Sequence, residues 1–312
     1  MVKRVIAVLL LSAATASAAW VYAGKWGSFG TGNGQFNNPR GIDVGDNGNV
    51  YVADSRNDRI QYFNSSGSFV GKWGSRGTEN GQFNGPNDVG IAPNGRVYVA
   101  DSSNHRIQYF TRTGSFLGKW GSVGTGDGQF QVVSGIAFAR NGNVYTTSYG
   151  TSNARIQYFT PNGSFLGKWG SWGTSNGQFN NIYAVEVAAN GNVFVPDYNN
   201  RRIQYFTSTG TFLGKWYFEG LPFGSAFRPN GDLYVTDFEN HRVQYFTASG
   251  SLLGRWGRQG SGDGEFYRPA SLTFTKAGTR TYVTDHSNHR VQYFDDNTSV
   301  VPSSLGRVKA LF

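Results

Sequence analysis

The segment VYVADSRNDRIQYF at residues 50–63 returns at 97–110, 144–159, 193–206, 233–246 and 281–294 with its order of residue types intact. Six copies of one hairpin mean six copies of one supersecondary unit. Each copy sets two β-branched and aromatic runs on either side of a polar loop, which reads as strand, turn, strand. In five copies an Asp closes the first run and an Arg opens the second: Asp54 and Arg59, Asp101 and Arg106, Asp197 and Arg202, Asp237 and Arg242, Asp285 and Arg290. Across a hairpin mouth these can form forked ion pairs. At partial exposure each pair is expected to contribute ~1 kcal/mol or less. The third copy has Ser148 in place of the Asp and a loop two residues longer.

Two further strands belong to each unit. VYAGKWG at 21–27 matches SFVGKWG at 68–74, SFLGKWG at 115–121 and 164–170, TFLGKW at 211–216 and SLLGRWG at 251–257. A fourth strand follows a longer loop, as in GIDV at 41–44, DVGIA at 88–92, AVEVA at 184–188 and SLTF at 271–274. It returns to the hairpin through Asn-Gly in five units, such as Asn47-Gly48 and Asn94-Gly95, the dipeptide favoured by tight antiparallel turns. Four antiparallel strands in about 47 residues make one blade of a β-propeller. Six units predict an all-β, six-bladed ring over 19–294. The sixth hairpin is followed by no GKW strand, and the N-terminal GKW strand has no hairpin before it. Val21 to Gly27 is therefore expected to complete the last blade and close the ring.

The rest of the composition agrees. Gly at 44 residues, 16% aromatics and a single Met suit many turns and strands. The absence of Cys excludes disulfides and thiol chemistry. The net charge of +9 is spread over repeated positions, among them Lys25, Lys72 and Lys119 beside the recurring Trp. A nucleic-acid binder would gather it on one face, so no nucleic-acid partner is expected. The repeated Trp residues, Trp26 to Trp256, read as packing anchors in preference to a sugar-binding or cation-binding ring. Lys3 and Arg4, the apolar run Val5 to Ala14 and Ala16-Ser17-Ala18 predict an export signal over 1–18 and a secreted or extracytoplasmic monomer without membrane insertion. Residues 295–312 are expected to be a tail.

The pattern VYVAD-x-x-N-x-R-I-Q-x-F, recurring over residues 20–294, resembles NHL repeats. The resemblance implies the propeller. Its functional implications are diverse: protein-interaction modules, RNA-binding modules, extracellular sensors of bacterial kinases, and the peptidyl-hydroxyglycine lyase of peptide amidation. Fold does not choose among them. Export argues against RNA. The lyase resemblance implies a histidine-ligated metal near the channel, and its ligands find no residue-by-residue match here.

Catalytic candidates are weak. Gly173-Thr174-Ser175-Asn176-Gly177 has the spacing of a nucleophile elbow but replaces a loop Gly and lacks the strand-to-helix context. His105, His241, His286 and His289 all fall in hairpin loops spread over three units, where convergence on a metal is not expected. No catalytic residue, metal or cofactor is predicted.

Variation among the units points to one rim. The residues entering the innermost strand are Arg40, Asn87, Ser134, Tyr183, Phe223 and Ala270, one hairpin position reads Ser55, Ser102, Tyr149, Tyr198, Phe238 and His286, and Asp88, Asp43 and Glu186 are expected to add acid near the axis. The connector from the fourth to the fifth unit, Tyr217 to Phe223, is seven residues shorter than the other five. It is expected to leave a notch lined by Tyr183, Tyr198, Phe218, Phe223 and Phe238, with Glu219 and Glu186 as polar groups and Arg40 and Asn87 nearby. The predicted function is a non-catalytic module binding a protein, peptide or glycan there. The alternative is an extracytoplasmic lyase or hydrolase with a metal-assisted site at the channel mouth.

Overall fold

A computed structural model describes residues 20–150 and 153–297. The predicted export segment and most of the predicted tail lie outside these residues. The described chain forms six four-stranded antiparallel sheets in a ring. Blade one runs inside to outside as Pro39–Val44, Val50–Asp54, Arg59–Phe63 and Phe69–Trp73. Blades two to five repeat this order in sequence. In blade four the inner strand is cut to Glu186–Val187, three residues fewer than the segment 184–188 predicts.

Blade six takes its inner strands from Pro269–Phe274, Arg280–Asp285 and Arg290–Asp296, and its outer strand is Trp20–Trp26. The register runs from Trp20 opposite Asp296 to Trp26 opposite Val291, so the ring closes as expected. The third strand continues to Asp296, past the predicted boundary at 294, because Trp20 and Val21 supply partners for it.

Blade-to-blade packing follows one rule. Each outer-strand Trp lies against the Phe that ends the third strand of the next blade, as Trp26 against Phe63 at 5.4 Å and Trp73 against Phe110 at 5.7 Å. It also covers a turn glycine of that blade. Gly67 has φ +87°, and a Cβ there would lie 2.6 Å from the Trp26 ring, so both backbone and space require glycine. The Trp rings are only partly buried, and their indole N–H groups have no partner. They act as packing anchors between blades. The second-strand tyrosines add a stitch: Tyr51, Tyr98 and Tyr145 donate hydroxyl hydrogen bonds to carbonyls of Arg112, Pro161 and Ser208 in the next blade.

The Asp–Arg pairs are far more buried than expected. Asp54 is fully buried and Arg59 nearly so. Arg59 Nε donates to Asp54 Oδ2 at 2.7 Å, while its terminal nitrogens donate to the carbonyls of Thr31, Gly32 and Gln35 in the connector. The same carboxylate accepts from Asn37 N, Asn57 Nδ2 and Gln61 Nε2. The pair thus bolts the incoming connector to the hairpin, with its polar atoms satisfied inside the protein. The estimate for partly exposed pairs does not apply to it.

Candidate functional site

The hairpin turns and the connectors emerge on one side of the ring, here called the upper face, because the Arg59-type residue joins them. Five of the six hairpin loops have a residue in the left-handed region at their end: Asp58, His105, Arg201, His241 and His289. Asp58 Oδ1 accepts Gly85 N, His241 Nδ1 accepts Arg268 N, and His289 Nδ1 accepts Asn38 N. His105 Nδ1 pairs with Gln131 O. His286 also reaches the next connector, its ring nitrogens 3.2–3.3 Å from Asn38 Nδ2, so all four histidines bridge neighbouring blades. Ser175 sits exposed in its connector with its backbone carbonyl accepting from Arg202, a loop position like its counterparts.

The two variable columns meet on this face. Tyr183 stacks on Phe223 with centroids 4.4 Å apart and planes 12° apart, and Phe223 stacks on Phe238 at 4.9 Å. Tyr198 stands edge-on to Tyr183 at 5.2 Å and to Phe223 at 5.9 Å. Tyr149 joins at 4.9 Å from Tyr183, and the His286 ring lies 5.9 Å from Phe238. Burial pushes the Tyr183 phenol up to about 12. Of the predicted residues, Tyr183, Tyr198, Phe223 and Phe238 are brought together. Tyr149 and His286, not among the expected site residues, join them; they stand in the same variable column as Tyr198 and Phe238, a signal that could have found them.

Arg40 and Asn87 are at the centre. Arg40 Nη1 donates to Asn87 Oδ1 at 2.8 Å, and both line the upper channel mouth with Tyr183 and Phe223. The space there is only about 20 Å³, so the Tyr183–Phe223 stack closes the mouth. The open volume on this face lies beside it. A groove of about 460 Å³ is walled by Tyr198, Leu221, Phe238, Glu239, His241 and Arg268. Leu221 belongs to the short connector, which leaves this side of the rim low. Arg268 caps the Phe238 ring at 5.6 Å, and Arg201 grips Glu239 with bonds of 2.6 and 2.8 Å. Arg268 ends a connector where the equivalent residues are small or apolar except Asn38 and Asn181, an oddity visible in the sequence.

Three predicted residues lie elsewhere. Phe218 is fully buried, 5.8 Å from Phe246, in the place that Phe36 takes against Phe63 in blade one. The short connector still supplies that core ring, through Phe218. Phe218→Ala is therefore expected to cost about 3–5 kcal/mol of stability as a large-to-small core change, read by denaturant unfolding. Tyr183→Ala, on the half-buried face, should cost clearly less. Glu219 is exposed on the outer wall, pairing with Arg242 at 3.3 Å and Arg255 at 3.2 Å. Its carbonyl accepts from Gln244 Nε2, the part Gln35 O plays for Gln61 in blade one.

Glu186 lines the central channel with Asp43 and Asp88, in a cavity of about 480 Å³ that opens on the lower face. Asp43 and Asp88 tie blades at the axis: Asp43 accepts Ile91 N and Thr273 Oγ1, and Asp88 accepts Ile136 N. Burial raises Asp43 to about 6 and Asp88 to about 8, with Asp43 adding to the rise of Asp88. Burial raises Glu186 well above the usual carboxylate range. His286 goes the other way, pushed down to about 3 by burial and by Arg40. The folded protein thus holds carboxyl protons that the unfolded chain releases above pH ~4. That stability is complete at low pH and is lost as pH rises through 6 and then 8. The His286 contribution instead grows as pH rises towards its ordinary value and is complete above ~6.5. Above pH ~6.5 the carboxyls act alone, so the unfolding free energy should fall by about 1–2 kcal/mol per pH unit up to pH ~8, from Asp88 and Glu186. Asp88→Asn should flatten that slope, as followed by urea unfolding at each pH.

Among known proteins, the NHL repeat family model matches residues 36–63, 83–110 and 225–246, so the chain carries NHL repeats. A curated relative, the B-box type zinc finger protein ncl-1 of Caenorhabditis elegans, is 45% identical over 49 residues, 16% of this chain. The chain matches only 6% of that protein's length. Among solved structures, a streptogramin B lyase superposes with a TM-score of 0.61 at 12% identity, covering 87% of this chain and 97% of that one. A catalytically inactive virginiamycin B lyase from Staphylococcus aureus with quinupristin gives 0.59 at 15% identity, covering 84% and 85%. A protein of unknown function from Bacteroides thetaiotaomicron gives 0.63 at 13% identity, covering 87% and 76%. These likenesses describe the propeller fold.

Proposed function

We propose that this chain is a secreted, monomeric binding module whose upper face takes a protein, peptide or glycan, without nucleic acid and without membrane insertion. The observation that carries the reading is the aromatic array from Tyr149 to Phe238 opening into the groove at Tyr198 and Arg268. Stacked rings with few polar groups at their edge suit the apolar face of a sugar or an aromatic or aliphatic side chain. Arg268 and the Arg201–Glu239 pair provide polar anchors at the groove's end. Export, read from residues 1–18, supplies the compartment.

Glycan and short-peptide arrays probed with the mature protein test this. For a captured ligand, Tyr198→Ala and Phe238→Ala should each weaken binding by about 30-fold, the ~2 kcal/mol of an aromatic anchor, while the folded ring persists. Ligands that bind both variants as tightly as the parent would place recognition elsewhere.

A second reading is a metal-assisted lyase at the upper mouth. Its one candidate ligand on this face is His286, whose ring nitrogens lie 3.2–3.3 Å from Asn38 Nδ2, and among the described residues no three metal-ligating side chains converge. A divalent-metal titration that raises the melting temperature of the parent but not of His286→Ala would support it.

A further inference from the structure

Blade three keeps the Arg of the buried ion pair and has lost its acid. Ser148 faces Arg155 in the register that Asp54 and Arg59 occupy, so the strand pairing there is kept. Ser148 is fully buried, Asn153 and Gln157 nearly or fully so, and Arg155 has less than a tenth of its surface exposed. Arg155 still donates to the carbonyls of Thr125, Gly126 and Gln129, as its counterparts do in the other blades. Its Nε, which in blades one, two, four, five and six donates to the Asp, has no partner. Ser148 Oγ has none either. Gln157 Nε2, whose counterparts bond both the connector carbonyl and the Asp, bonds Gln129 O alone.

A serine side chain ends two heavy atoms short of an aspartate. In blade one the Asp54 carboxylate accepts from the Arg59 Nε–H and Gln61 Nε2, so by register the place of the missing carboxylate in blade three faces the Arg155 Nε–H, the second N–H of Gln157 Nε2 and the Ser148 hydroxyl. Burying a guanidinium without a counter-charge is costly. The nearest acid that acts on it, Asp127, is exposed and already holds Lys168 at 2.6 Å. Burial pushes the Arg155 guanidinium below its ordinary value.

We propose that blade three binds a small monovalent anion, a halide or formate, where the other blades carry their aspartate. The anion takes the Arg155 Nε–H, Gln157 and Ser148 donors and restores neutrality to the buried pair. Asn153, whose Nδ2 donates to Gly124 O, has an unpartnered Oδ1 that an accompanying water would serve. A halide or formate matches the charge and size of the carboxylate head it would replace, which phosphate and sulfate exceed.

The test is thermal unfolding of the mature protein in sodium gluconate and in sodium chloride at equal ionic strength, with bromide and formate as further arms. Chloride should raise the melting temperature saturably, by about 2–4 °C, as a ligand of the folded state does. Ser148→Asp should melt above the parent in gluconate and show no chloride response. Identical melting in all anions, meaning that water fills the gap, overturns the proposal. So does a chloride response that Ser148→Asp leaves intact. Should that variant fail to fold, anomalous diffraction from bromide-soaked crystals of the parent decides: a peak beside Arg155 Nε supports the site, and its absence overturns it.

Discussion

A chain lacking residues 20–26 should fail to form a stable monomeric ring. Those residues are the outer strand of blade six, and without them Arg290–Asp296 presents an unpaired edge. Trp20 and Trp26 leave with the strand. Trp20 packs on Tyr234, Trp256 and Phe274, and Trp26 covers Phe63 of blade one, so their loss opens the seams on both sides of blade six. Two Trp truncations at about 3–5 kcal/mol each rival a whole domain's stability of about 5–15 kcal/mol. The exposed edge is also a template for strand addition. Aggregation, or a dimer sharing edges, should follow in size-exclusion chromatography, and a synthetic peptide WVYAGKW added in trans should restore monomer. A truncated chain that melts like the parent would refute ring closure by this strand.

Arg106→Ala should cost about 3–5 kcal/mol, because it strands the fully buried carboxylate of Asp101. It also releases the carbonyls of Thr78, Glu79 and Gln82, so the connector into blade two loses its bolt. Arg255→Ala is the matched control. Its partner Glu219 and Arg255 itself are more than half exposed, and about 1 kcal/mol or less is at stake. Urea unfolding of both variants separates the two cases. Equal, small losses would mean that water reaches the Asp101 pocket and that the pair is an ordinary surface contact.

The aromatic face was partly readable beforehand. Tyr183, Tyr198, Phe223 and Phe238 stand in columns that vary while the scaffold repeats, and a column in a repeat is a fixed place in space. Phe218 shows the limit. It lies in the short connector beside Phe223, and nothing local says that one ring turns inward and the other upward. The core decides this, since a missing ring against Phe246 would leave a cavity. Glu186 went astray similarly. Its strand position was known, but alternation along the inner strand sends it into the channel, away from the rim.

Blade count, strand order and the closing role of Trp20–Trp26 followed from the repeat and its phase alone, because a repeat can bury its apolar faces only by stacking on copies of itself. Three things came from the assembled ring. The Asp–Arg pairs became buried bolts because the connector of each unit folds over its hairpin mouth and shuts out water. Asp43, Asp88 and Glu186, expected near the axis, are buried by the surrounding blades and so hold their protons far above the usual carboxylate range. Arg155 is left without its acid in an interior that the other five blades neutralise. Each depends on burial, which is set by what neighbouring blades bring over a residue and is not encoded in the residue's own segment.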